Sequence, residues 1–307
     1  MSHFSVGVDS FQSGFMVVLV TGGNGFIGKH LVKKLRSLGH EVFVVDIAAK
    51  SDDFKLNICL PDLQTLMLKL KPQVVYHLAA DSRVSSPTDS ILKNNVIGTY
   101  NVLEASRLAG VKQFILTSSA AVYGEVKLLP VQELWPTKPI SAYGLSKLTD
   151  ELYCGLFQKH FLTTIFRFAN VYGPEQNSTA EGGVVAIFIK KILAGKSMTV
   201  FGTGKQTRDF VFVADVVEAL TAALQLKQPA ILNIGTHQST SVNQLIKILS
   251  RLSGRQAKIN YRKPRLGEID RSLFSFKRAK KLIGWRPKVS LEEGLNVTIN
   301  ANLAGIK

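Results

Sequence analysis

The chain has 307 residues, of which 46% are hydrophobic and 20% charged, an ordinary globular composition and enough for one large α/β body with an appendage. No run of about 18 apolar residues occurs, so no segment reads as a membrane-spanning helix. Lysine and arginine total 38 against 22 acids, a formal charge of +16, which leaves nucleic acid, a membrane surface and an anionic small molecule to be told apart as partners.

Residues 1–15, MSHFSVGVDSFQSGF, lack the basic start and apolar middle of a signal peptide and read as an extension outside the fold. Met16 opens a β-branched run, MVVLV, which predicts a buried strand over 16–20. Ile27, Leu31, Leu35 and Leu38 then recur at helical spacing, with Gly39 as the stop. EVFVVD predicts a second strand at 41–46 and QVVYHLA a third at 73–79. A helix over about 94–109 ends at Gly110, and QFILTSS gives a fourth strand at 113–119. A helix from Tyr143 to about His160 leads into a fifth strand, TTIFRFA, at 163–169.

Strands alternating with helices predict a parallel sheet covered on both faces. Right-handed crossovers make it doubly wound, a Rossmann-type α/β fold with its ligand crevice at the carboxyl ends of the strands. After residue 170 the rhythm loosens. Residues 170–183 are a loop by composition, while DFVFVAD (209–215) and AILNIG (230–235) return to strand. Ser241 with Gln244, and Ser290 with Glu293, mark two late helices by capping boxes. The expected division is a body of residues 16–170, rejoined by 209–235, and a smaller mixed α/β lobe of residues 171–208 and 236–307.

The stretch LVTGGNGFIGKH (19–30) puts Gly22, Gly25 and Gly28 where the first strand hands over to the first helix. Gly22 permits the tight turn, Gly25 lets backbone approach a pyrophosphate, and Gly28 lets helix and strand pack closely. The helix N-terminus supplies unpaired N–H groups to the phosphates. Asp46 closes the next strand about 20 residues on, where an acid accepts from both ribose hydroxyls and repels a 2′-phosphate. That pattern predicts a dinucleotide site that favours NAD over NADP.

Tyr143 and Lys147 stand four apart, on one face of a helix. A phenol ordinarily titrates near pH ~10, and an adjacent ammonium favours its ionised form, which suits it to take and return a proton from a sugar hydroxyl. The bland alternative is an exposed helix pair. Ser118 and Ser119 end the fourth strand at the ligand edge, where a hydroxyl bridges substrate and tyrosine or merely caps the strand. Asn95, at the start of the 94–109 helix, is a water-holding amide or an N-cap. Cys59 and Cys154 lie in apolar stretches and read as free thiols of a reducing cytoplasm, and no Cys/His cluster suggests a metal.

Together, Gly22-x-x-Gly25-x-x-Gly28, HLAA (77–80), NVIGTYNVLEA (95–105), SSAAVYG (118–124), Tyr143-x-x-x-Lys147 and RFANVYGP (167–174) resemble the extended short-chain dehydrogenase/reductases. Within them the NAD-dependent nucleotide-sugar epimerase/dehydratase group is the most similar, from about Met16 to Leu295. The resemblance implies NAD held by Gly22, Gly25, Phe26, Ile27, Gly28, Asp46, Asn57, Ile58, Leu78, Ala79, Ala80, Asn95, Ser118, Tyr143 and Lys147. It implies Ser119, Tyr143 and Lys147 as the catalytic group, and contacts to a UDP-sugar from Arg83, Ser119, Tyr143, Asn170, Arg208, Arg265 and Ser272. Asn170 matches a residue that holds the nucleotide diphosphate. Arg208, in GTGKQTRDFVFVAD (202–215), and Arg265, in RLGEIDRS, match arginines whose forks pair with phosphate oxygens. Asn57 stands where many relatives have Asp against adenine, and an amide can still accept and donate there. Arg83 falls in the segment 81–93, a wall of the active site that looks shorter than in familiar epimerases.

Relatives that dehydrate the sugar have acids just after the catalytic Ser/Thr, and decarboxylases tend to carry one in the same stretch. Here those positions are Ala120 and Ala121. What the resemblance leaves is reversible oxidation at C4 of a nucleotide-diphosphate hexose, through a 4-keto sugar, by a 4-epimerase. Ser272 falls where 4-epimerases place a pocket-gating residue; being small, it implies room for an N-acetyl group, so UDP-GlcNAc/GalNAc joins or replaces UDP-Glc/Gal. The rivals are a reductase consuming NAD(P)H, a non-catalytic dinucleotide sensor, and a nucleic-acid binder. The dispersed basic residues and the lack of a tryptophan stacking run argue against nucleic acid. A cytoplasmic homodimer, paired through the 94–109 and 143–160 helices, completes the expectation.

Overall fold

Side-chain alternation in the first strand sets the architecture. In β1 (Val17–Thr21), Val18 and Val20 enter one apolar cluster and Leu19 another, and all three are fully buried, as a strand covered on both sides requires. The computed structural model describes residues 14–49, 53–82, 86–178, 183–264 and 269–304; the first thirteen residues of the expected N-terminal extension lie outside these. The further strands are β2 (Glu41–Asp46), β3 (Phe54–Lys55), β4 (Val74–His77), β5 (Gln113–Ser119), β6 (Leu162–Phe168), β7 (Asn170–Tyr172), β8 (Met198–Phe201), β9 (Thr207–Arg208), β10 (Phe210–Phe212), β11 (Ala230–Ile234), β12 (Thr240–Ser241) and β13 (Ile259–Arg262). Seven of them form one sheet in the order β11-β6-β5-β4-β1-β2-β3, every neighbouring pair parallel. The order reverses between β1 and β4, which opens a crevice above their carboxyl ends. This is the doubly wound α/β fold that the alternation predicts.

The helices are α1 (Phe26–Ser37), α2 (Asp62–Leu70), α3 (Thr88–Ile91), α4 (Gly98–Ala109), α5 (Ala142–Phe157), α6 (Val184–Leu193), α7 (Val213–Ala222), α8 (Val242–Ser253), α9 (Lys277–Ile283) and α10 (Leu291–Ala304). Leu31 and Leu35 of α1 and Val216 and Leu220 of α7 cover one face of the sheet. Leu63 and Met67 of α2, Val102 and Leu103 of α4 and Cys154 of α5 cover the other. A third cluster gathers Phe188 and Ile189 of α6, Met198 and Val200 of β8, Leu245 and Leu249 of α8 and Leu295 of α10. Gly39 and Gly110 end their helices with φ of 84° and 72°, and both capping boxes form.

Four local departures from the sequence reading have plain causes. The helix assigned to 94–109 begins earlier: α3 runs through a π-helical stretch, Leu92–Ile97, into α4. Asn95 is therefore inside a helix and caps nothing. The strand assigned to 209–215 stops at Phe212, because Val213, Val216, Val217 and Leu220 repeat at helical spacing and bury one face of α7. β10 pairs with β7 outside the large sheet, so the chain rejoins that sheet only at β11. The two-residue β3 at the sheet edge is too short to leave a periodic signal.

Candidate active site

The turn after β1 is built by its glycines. Gly22 has φ +72°, and a Cβ there would stand 2.6 Å from Ala79 N. A Cβ on Gly28 would run into Gly22 O and the Gly23 backbone, so the helix can approach the strand only as glycine. Gly25 differs: an added Cβ would meet only Gly22 O, at 3.2 Å. Its other side is open to a cavity of about 590 Å³. Gly22, Gly25, Phe26, Asp46, Asn57, Ile58, Leu78, Ala79 and Ala80 all line that cavity. Ile27 does not; its side chain packs into the apolar core. The Asp46 carboxylate is oriented by two backbone donors, Asn24 N at 3.0 Å and Ala48 N at 2.9 Å. Asn57 spends its amide oxygen on Cys59 N at 2.9 Å. The glycine cradle, the first turn of α1 and the acid at the end of β2 fit a dinucleotide: backbone N–H groups for the pyrophosphate, Asp46 for a ribose.

Next to the cavity, the ends of β5 and α5 meet. Ser119 Oγ accepts from Ala121 N at 3.1 Å and opens a 3₁₀ turn, Ala120–Tyr123. Ser141 caps α5 by accepting from Gly144 N at 3.1 Å. A Cβ on Gly144 would stand 2.5 Å from Ala121 O, so the helix start rests directly on the Ser119 turn. Tyr143 is one residue earlier, half-buried like Ser119. Asn95 joins this corner to the cavity wall. It accepts from Asp81 N at 2.7 Å and donates to Asp81 O at 3.1 Å and Ser146 Oγ at 2.9 Å, and Ser146 Oγ donates to Tyr143 O at 2.8 Å.

Two expected residues are engaged elsewhere. Ser118 is buried and donates to Glu151 Oε1 at 2.5 Å, on the face of β5 opposite to Ser119. Lys147 is 2% exposed and its Nζ stands 3.4 Å from Asp150 Oδ2, one turn further along α5. Of the substrate candidates, Arg83 and Arg265 lie outside the described residues. Asn170 is exposed on β7, next to Phe210 of β10. Arg208 and Ser272 converge on one strand end: Arg208 Nη1 donates to Thr207 O at 2.9 Å, and Ser272 N donates to the same carbonyl at 3.2 Å.

The sequence reading misses the far side of the cavity, lined by Gln176 and Asn177. Their loop is fastened to α1 by His30 Nε2 with Pro174 O, 3.1 Å apart, and by Lys29 with Glu175 at 3.6 Å. Gln176 donates to Val171 O at 2.9 Å, while its buried Oε1 has no hydrogen-bond partner among the described residues. The only sequence signal is the turn after RFANVYGP, and nothing local in it points back to the glycine loop.

The family model of the NAD-dependent epimerase/dehydratase family matches residues 18–235. The chain belongs to that family, within the extended short-chain dehydrogenase/reductases. It is an epimerase whose cofactor is NAD. It is 38% identical over 310 residues to the UDP-glucose 4-epimerase of Mycolicibacterium smegmatis, covering 92% of this chain and 97% of that one. The UDP-glucose 4-epimerase of Thermotoga maritima, solved with UDP-glucose, superposes with a TM-score of 0.90 at 38% identity, covering 94% of this chain and 99% of that one. The Thermus thermophilus UDP-glucose 4-epimerase complex with NAD superposes with 0.87 at 33% identity, covering 92% and 98%.

Proposed function

We propose that the protein interconverts the C4 epimers of a UDP-hexose, using Tyr143 as the base that takes the 4-hydroxyl proton and gives it back, with Ser119 hydrogen-bonding the same oxygen. When bound, NAD would supply the reversible hydride chemistry at C4. Gly22, Gly25 and Asp46 would hold its adenosine and pyrophosphate end, and Lys147 its nicotinamide ribose. Arg208, with Asn170 and Arg265, grips the diphosphate while the hexose turns over. Residues 16–170 with the segment returning through β11 form the cofactor body in this reading; the remainder is the sugar lobe.

The observation that carries it is the seating of the α5 start on the turn after Ser119, where Ala120 and Ala121 present no carboxylate. Dehydration needs an acid and a base there. Glu133 and Glu151, which fold behind this turn, hold Asn233 N and Arg167 instead. The test is proton NMR of the purified protein, without added cofactor, given UDP-Glc in one sample and UDP-GlcNAc in another. Growth of the galacto epimer in either establishes the class; none in both, with NAD bound, overturns it. Ser272 is small and buried, and its size favours turnover of the N-acetyl sugar.

The same reading assigns a homodimer. Ile97 and Tyr100, beside and on α4, and Leu145, Leu152 and Leu156 of α5 are between 43% and 68% exposed. Tyr100 packs edge-on to Tyr153 and Phe157 between them, making a contiguous apolar face. In sedimentation, the double substitution Leu152→Glu with Leu156→Glu is expected to halve the mass to that of one 33.7 kDa chain. A wild-type monomer would refute the assignment.

A further inference from the structure

Lys147 is held by a network that the proposed chemistry leaves unexplained. Among the described residues its one ion pair is with Asp150, which has no exposed surface. The other carboxylate on this stretch, Glu151, is committed to Arg167 and Ser118. Among the described residues Asp150 Oδ1 has no hydrogen-bond partner. The Thr99 hydroxyl stands beside the carboxylate and favours its ionised form. It also hydrogen-bonds His77 Nε2 at 2.9 Å, and His77 Nδ1 is 2.6 Å from Thr21 Oγ1, at the entrance to the glycine turn. A buried polar line therefore runs from the cofactor loop through β4 and α4 to the lysine on α5.

An ammonium this deeply buried needs an anion, because it has lost its water. We propose that Asp150 is a positioning residue for Lys147: its carboxylate holds the ammonium beside Tyr143 while ionised and releases it when protonated. The inference rests on the assignment of Lys147 to the catalytic group. Burial, opposed by Lys147, pushes the Asp150 carboxyl up to about 6, so the hold is complete above that pH and fades below it.

Three titratable groups on the surrounding elements are moved out of that range by burial. Burial, with Lys147 adding to it, pushes His77 down to about 3, so it stays neutral. On α5, burial pushes the Cys154 thiol well up. Burial also pushes Tyr123, on the neighbouring turn, up to about 12. Arg167 of β6 is tied to Glu151, β5 offers the neutral Ser118 and the π-helical stretch the neutral Asn95, and Asp89 of α3 is exposed.

Asp150→Asn keeps the shape and removes the charge, mimicking the protonated state at every pH. The purified wild-type holoprotein is expected to lose about tenfold in kcat between pH 8 and pH 5. The Asp150→Asn variant should give a flat profile that meets wild type at pH 5 and lies about tenfold below it at pH 8. Thr99→Val removes a group that favours the ionised carboxylate, so it should move the midpoint to higher pH; that variant decides the matter if the asparagine variant does not fold. A readout independent of turnover is the Lys147 ammonium resonance in ¹⁵N-lysine-labelled protein, assigned by its loss in Lys147→Met. It should be sharp at pH 7.5, fade below pH 6 and be absent in Asp150→Asn. Parallel pH profiles, an unmoved Thr99→Val midpoint, or a lysine resonance indifferent to Asp150 would overturn the inference. Absence of epimerase activity in the wild type would instead refute the proposed function and leave the resonance to be read alone.

Discussion

Tyr143→Phe is expected to keep its NAD and lose between about a hundredfold and ten-thousandfold in kcat, the range a single general acid–base group supplies. The substitution removes one oxygen from a half-buried side chain at the start of α5. It leaves intact the Ser141 cap, the Gly144 contact with Ala121 and the Asn95–Ser146 link to the cavity wall. Folding and the glycine cradle should therefore be unaffected, and co-purified dinucleotide, read by absorbance after denaturation, should match wild type. Because the proton is transferred only as C4 changes oxidation state, the loss should fall on kcat and leave KM nearly constant. Near-wild-type turnover would mean that another group moves the proton. Loss of NAD together with activity would mean that the tyrosine is needed to hold the cofactor.

The largest effect on stability is expected from Glu151→Ala. Glu151 and Arg167 are almost fully buried, linked by Nη2–Oε2 at 2.6 Å and Nε–Oε1 at 2.9 Å. The guanidinium also donates to Tyr123 OH at 2.8 Å and Glu133 O at 3.0 Å, and Tyr123 donates on to Asn233 Oδ1 at 2.7 Å. Removing the acid leaves a cation without its counterion in an almost fully buried site. Such a break costs about 3–5 kcal/mol, and at about 2–4 °C per kcal/mol the thermal midpoint should fall by the order of 10 °C. Glu151→Leu with Arg167→Met, which removes both charges and keeps volume, should recover most of that loss. A double variant as unstable as the single one would show that the hydrogen-bond network, and not the uncompensated charge, dominates.

These two sites illustrate what the sequence can and cannot reveal. The glycine turn is legible because each glycine has a separate local job within seven residues, and the structure has the positive φ at Gly22 and the close packing at Gly28 where they are expected. The same holds for Asp46, since a strand end about 20 residues on is fixed by the length of one helix and one strand. Tyr143 and Lys147 share a helix face by spacing alone, yet spacing does not say that the ammonium finds Asp150 first. Asn95 is visible as an amide near the site, a water-holding group or a cap, but its place inside a helix is not, because a π-helical insertion leaves no periodic trace. Ser118 and Ser119 look interchangeable in sequence; a strand's period of two turns Ser118 inward to Glu151 and leaves Ser119 half-buried on the opposite face. The Gln176 loop is invisible, since its partner in space, α1, is 144 residues away along the chain.

That loop has a consequence for how the protein lives among other redox enzymes. His30 and Lys29, on α1, are tied to Pro174 and Glu175, so if a dinucleotide leaves the cavity past Gln176 and Asn177 this clasp has to part. If the clasp opens more slowly than the sugar inverts, one coenzyme molecule outlasts many substrates. The ambient ratio of oxidised to reduced nicotinamide would then set neither the rate nor the direction of the isomerisation.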